Sequence, residues 1–145
     1  NVNARQKLVL IPKIESHFNN DLKGKNIAIW GLAFKPETDD IREAPALFMI
    51  DSLLQSGANI TAFDPEAMPN VKRKLGDKIN YAESMYQAIE HADALVICTE
   101  WSIFRTPNTD KMKLAMNSNV IFDGRNLYDV KDIENEGFKY VSIGR

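Results

Sequence analysis

Apolar positions along this chain change period repeatedly, and the changes mark its elements. Leu8, Ile11, Ile14 and Phe18 recur at helical spacing between Val2 and Phe18. This predicts an amphipathic helix that Pro12 should kink or split. After the polar turn Asp21–Lys25, the nearly continuous apolar run Asn26–Trp30 ends at Gly31, which is how a strand covered on both faces reads. The alternation then repeats. Predicted helices over Ala46–Gln55, Val71–Leu75, Ser84–His91, Asp110–Met116 and Val130–Glu136 interleave with predicted strands at Asn59–Phe63, Ile79–Ala82, Ala94–Thr99, Val120–Phe122 and Phe138–Ile143. Strands alternating with helices imply parallel pairing through right-handed crossovers. The expected fold is α/β, an open and mostly parallel sheet with helices on both faces, preceded by an N-terminal helix.

In such sheets ligands sit beyond the carboxyl ends of the strands, where the strand order reverses, and for the common order 3-2-1-4-5-6 the first, fourth and fifth strands flank that crevice. The least ordinary residues follow those three strands: Gly31–Pro45, Glu100-Trp101 and Asp123-Gly124-Arg125-Asn126. The first segment is long and charged, and its single glycine is followed by bulky residues. A dinucleotide fingerprint needs three glycines for backbone to approach a pyrophosphate. An anion bound here must be met by side chains, and Lys35 and Arg42 are the available cations. The competing reading is that both pair with Glu37, Asp39, Asp40 and Glu43 on a solvated loop. Arg125 is open in the same way: it can swing past Gly124 and offer a planar fork of donors to phosphate or ribose oxygens, or close a turn by pairing with Asp123 or Asp129.

Composition narrows the partners. The 145 residues suit one domain, and 18 Lys and Arg against 20 Asp and Glu give a formal net charge of −2. A sequence pI near 5.7 argues against general attraction to nucleic acid, and no apolar stretch approaches membrane-spanning length; the expected location is cytoplasmic. Cys98 has only Val96, Ile97 and Thr99 beside it, none of which activates a thiolate, so a buried structural thiol is expected. His17 and His91 read as helical surface residues, and without a Cys or His cluster no metal site is expected. Trp30 reads as core, and Trp101 as either a crevice wall or packing. Asp64 stands where nicotinamide-binding domains place a ribose acid, but Pro65 after it favours a turn-forming role. Lys72-Arg73-Lys74 reads as a solvated face. The opening at Asn1, with helix from the start, suggests a piece of a longer protein: a helix over 1–20 continuing from an upstream domain, then an α/β domain over 21–145.

The three strand-end motifs together carry a more specific likeness. Gly31-Leu32-Ala33-Phe34-Lys35-Pro36-Glu37-Thr38-Asp39-Asp40-Ile41-Arg42-Glu43-Ala44-Pro45, then Cys98-Thr99-Glu100-Trp101, then Asp123-Gly124-Arg125-Asn126, resemble the C-terminal, Rossmann-like domain of the UDP-glucose 6-dehydrogenase family. The resemblance covers essentially the whole chain, including Val2–Lys7. It implies a homo-oligomeric, NAD-dependent parent enzyme that oxidises the C6 alcohol of UDP-glucose to a carboxylate, giving UDP-glucuronate for polysaccharide biosynthesis, by two hydride transfers through a thiohemiacetal on a cysteine. The nucleophile and the NAD fold belong to the missing N-terminal and central domains, so this chain alone is expected to be inactive. Phe34, Lys35 and Arg125 match positions that contact the nucleotide sugar, and Arg42 matches a residue reaching NAD on the other domain. Alternatives are the same domain from a dehydrogenase of another nucleotide sugar, UDP-N-acetylmannosamine or GDP-mannose, or a nucleotide-binding module without chemistry.

Overall fold

The computed structural model describes residues 2–33, 35–42 and 44–143. Six strands, β1 (Asn26–Trp30), β2 (Asn59–Phe63), β3 (Asn80–Tyr81), β4 (Ala94–Ile97), β5 (Val120–Asp123) and β6 (Lys139–Ser142), form one sheet in the order β3-β2-β1-β4-β5-β6. Every neighbouring pair is parallel. The order therefore reverses between β1 and β4, as a doubly wound sheet requires.

Period-two alternation in the central strands divides the core into two layers. Ile27 and Ile29 of β1 join Val96 of β4 and Phe122 of β5 on one face, beneath α1 (Val2–His17), α2 (Pro45–Gln55) and α3 (Met68–Leu75). Ala28, Trp30, Leu95 and Ile121 point the other way, onto α4 (Met85–Ala88), α5 (Ser102–Arg105), α6 (Thr109–Ala115) and α7 (Val130–Asn135). Trp30 is core as expected. Its ring stacks on Phe104 with centroids 5.1 Å apart, and its indole N–H donates to the Met85 carbonyl at 2.9 Å. Three helix starts are written in single residues: Ser84, Asn108 and Asp129 each accept a bond from the amide three residues on, satisfying a donor the helix leaves open.

Several expectations need correction. Pro12 does not split α1, which runs unbroken through it; the proline lies on the exposed side, where water can stand in for the missing amide. The buried contacts of that helix include Leu10 as well as Ile14. His91 is not helical: α4 ends at Ala88, and His91 sits at φ 60°, its N–H donating to the Ala115 carbonyl at 2.7 Å. The turn α5 is unanticipated, because four residues are too few to show a period. Among the described residues no helix is long and apolar enough to cross a membrane.

Candidate functional site

Register places the ends of three strands side by side. Trp30 pairs with Ile97, and Ile97 with Asp123, so the chain leaves β1, β4 and β5 at one edge of the sheet. The Cys98 N–H continues the ladder to the Trp30 carbonyl, and the Gly124 N–H to the Ile97 carbonyl, each at 2.9 Å.

The loop after β1 is fastened on both sides. Asp64, fully buried after β2, accepts from the backbone amides of Leu32 and Ala33 through one oxygen and from those of Glu66 and Ala67 through the other. Its turn-forming role is thus half of a wider function, tying the second loop to the first. The Thr99 hydroxyl donates to the Ala33 carbonyl at 2.9 Å, tying the first loop to the end of β4. Gly31, at φ +95°, makes room for this: a Cβ there would lie 2.5 Å from the Thr99 side chain.

The loop after β5 is organised by Asp123, which is fully buried. It accepts from the amides of Arg125 and Leu127 and from the Tyr140 hydroxyl at 2.8, 2.7 and 2.6 Å. Asn126, at φ 56°, exchanges two bonds with the backbone of Ile143. Gly124 has no special dihedral; a Cβ there would press on the side-chain end of Leu10 of α1 at 3.0 Å and approach the Ile97 carbonyl at 3.3 Å. The Arg125 side chain pairs with neither Asp123 nor Asp129. Its Nη2 lies 2.5 Å from Oε1 of Glu100 across the β4–β5 boundary, with both side chains largely covered.

The two cations of the first loop differ. Arg42 binds Asp40 through two nitrogens at 3.0 and 2.8 Å while 88% exposed, so the pairing expected of a solvated loop holds for this residue. The bonds from Arg42 hold the Asp40 carboxyl down at about 2. Lys35 is exposed and has no ion pair among the described residues. Phe34 and Glu43 lie outside the described residues.

Cys98 is buried, as expected of a structural thiol, and loss of water pushes it up to about 12, with Asp123 adding to the shift. Trp101 packs against the α4–α7 layer, with its indole nitrogen buried and unpartnered. His17 is half-buried rather than a free surface residue. Its ring edge meets Phe122, and its Nδ1 lies 2.8 Å from Lys139 Nζ; burial first, then that ammonium, lowers its pKa. Among the described residues no group of three His, Cys, Asp or Glu could hold a metal. Among the described residues the edge also offers no pyrophosphate cradle of the dinucleotide type, because the amides of Leu32 and Ala33, which such a cradle would present, are already spent on Asp64. NAD does not fit this loop as its primary site.

A doubly wound parallel sheet whose loops after β1, β4 and β5 are tied to one another at the switch point, through Thr99 to Ala33 and Arg125 to Glu100, defines an α/β domain of the kind that binds ligands at its strand ends. Residues 28–130 match the UDP binding domain of the UDP-glucose/GDP-mannose dehydrogenase family, and the chain belongs to that family. It is 41% identical to a UDP-glucose 6-dehydrogenase of Rhizobium meliloti over 144 residues, covering 99% of this chain and 33% of that one. It is 42% identical to a UDP-glucose 6-dehydrogenase of Pseudomonas aeruginosa, again over 99% of this chain and 33% of the relative. The solved structure of a UDP-glucose dehydrogenase from Pyrobaculum islandicum superposes with a TM-score of 0.79 at 28% identity, covering 95% of this chain and 29% of that one. The chain thus spans about a third of the length of the relatives it matches.

Proposed function

We propose that this chain is the UDP-sugar-binding domain of an NAD-dependent UDP-glucose 6-dehydrogenase, which oxidises UDP-glucose to UDP-glucuronate. In this reading residues 1–20 end a helix that comes from an upstream domain, and 21–145 form the UDP-binding unit. Lys35 and Arg125 meet the diphosphate and its neighbouring oxygens, and Phe34 is a further contact to the nucleotide sugar. Arg42 reaches NAD held by another domain, and the nucleophile and the NAD fold belong to the rest of a cytoplasmic, homo-oligomeric parent.

The observation that carries the reading is the convergence of the loops after β1, β4 and β5, with Arg125 on the last of them. A diphosphate needs cations and N–H donors at a concave edge, and an arginine fork makes charge-assisted bonds of about 1.5–3 kcal/mol each. Calorimetric titration tests it: UDP and UDP-glucose should bind more tightly than GDP-mannose or NAD. Arg125→Ala should weaken UDP about tenfold, since 1.4 kcal/mol is a factor of ten. Tighter GDP-mannose binding would move the assignment to a neighbouring sugar nucleotide. NADH formation by this chain alone, mixed with NAD and UDP-glucose, would overturn the division of labour.

A further inference from the structure

We infer that Glu100 is a positioning residue for nucleotide recognition, acting through Arg125. The inference rests on the reading of Arg125 as a diphosphate contact. At first sight a carboxylate is misplaced at an edge built for an anion, because it repels the ligand it borders. Its placement explains its use. Glu100 follows Thr99, whose hydroxyl is bonded to Ala33 in the first loop, so its backbone is fixed relative to β1. Arg125 follows Asp123, which holds the Arg125 amide at 2.8 Å. The contact between Glu100 Oε1 and Arg125 Nη2 at 2.5 Å therefore joins two anchored backbones through one hydrogen-bonded pair.

The contact uses one corner of the guanidinium. No other bond to that group is present among the described residues, which leaves donors for a ligand. A free arginine side chain would have to surrender several rotatable bonds on binding; one already held by Glu100 surrenders fewer, and preorganisation of this kind appears as affinity. The neighbouring Trp101, partly buried, packs against the core, and Thr99 is fully buried, so Glu100 has little freedom to follow the arginine elsewhere.

A double-mutant cycle in the full-length parent protein tests this, with UDP affinity measured by calorimetry and kcat and KM measured for UDP-glucose. Glu100→Ala should raise the Kd for UDP about fivefold, within what ordering one long side chain is worth. It should act on KM more than on kcat. Glu100→Gln, which keeps the acceptor oxygen, should recover most of the affinity. In an Arg125→Ala background Glu100→Ala should have no further effect, which a merely structural role would not produce. Tighter or unchanged UDP binding by Glu100→Ala would overturn the inference and make Glu100 a competitor for the arginine. So would a fivefold loss that persists without Arg125. If Arg125→Ala alone binds UDP normally, the functional reading itself fails; if it binds weakly while Glu100→Ala binds normally, only the present inference does.

Discussion

Gly31 and Thr99 approach so closely that no side chain fits between them. An added Cβ would stand 2.5 Å from both Cβ and Oγ1 of Thr99 and 2.8 Å from its amide nitrogen, at a φ of +95°. This contact lets β1 and β4 end in register and hand their loops to the same edge. Gly31→Ala should therefore cost about 3 kcal/mol, combining left-handed strain with overpacking. Gly124→Ala should stay within about 1 kcal/mol of unchanged, because its nearest obstacle is the flexible end of Leu10 and a smaller unfolded-state entropy offsets part of the strain. Urea denaturation of both variants checks the contrast, and equal losses would show that the Thr99 approach is not the constraint.

Asp64 gives the second expectation. Four backbone N–H groups converge on its two oxygens, and only a carboxylate accepts on every side. Asp64→Asn keeps the shape but turns an amide NH2 toward at least one of those donors, for a cost of about 2 kcal/mol. UDP affinity should fall as well, since the first loop is no longer held at Leu32 and Ala33. An unchanged denaturation midpoint would mean that the loops are held by something other than this residue.

How much of this was legible follows from how local each signal is. The strands could be read because Asn26–Trp30 and Ala94–Ile97 are apolar runs ended by a change of composition, and the alternation of elements implied parallel pairing, while the strand order expected was simply the common one for such sheets and is the one found. The edge carrying Arg125 followed from topology. The partner of Arg125 did not, since Glu100 is 25 positions away and only the β4–β5 register brings the two together. Asp64 was half legible: its bonds to Glu66 and Ala67 are local, as an aspartate before proline suggests, while those to Leu32 and Ala33 exist only once β1 and β2 pair. Nothing local distinguishes His17, whose neighbours Phe122 and Lys139 come from the opposite end of the chain.

Cys98 supplies a pH dependence with a definite sign. Its thiol lies at 9.0 when unperturbed and is pushed up to about 12 by burial in the fold. The raised group contributes stability that is full below pH 9 and is lost as pH rises from 9 toward 12, because the unfolded chain releases that proton first. The alkaline fall in stability should be shallower in Cys98→Ala than in the unaltered protein. The native thiol should also resist a thiol-reactive dye at pH 8 until denaturant is added; rapid modification of the folded protein would refute the burial argument.

Lys35 and Arg42 are held differently within one loop. Arg42 is committed to Asp40, whereas Lys35 has no ion pair among the described residues and is exposed. Removing Lys35 should leave folding untouched while weakening a ligand that carries a diphosphate. In the full-length enzyme Lys35→Ala should raise KM for the sugar nucleotide or lower kcat, with the melting temperature unchanged. Because an ammonium acts as a point charge across solvent, the difference from the unaltered enzyme should shrink as ionic strength rises and the screening length falls from about 10 Å at 0.1 M to about 3 Å at 1 M. Asp40→Asn gives the complementary case, for it frees Arg42 without removing a cation. Kinetics altered by Asp40→Asn but not by Lys35→Ala would assign the anion contact to Arg42 and leave Lys35 a solvated surface residue.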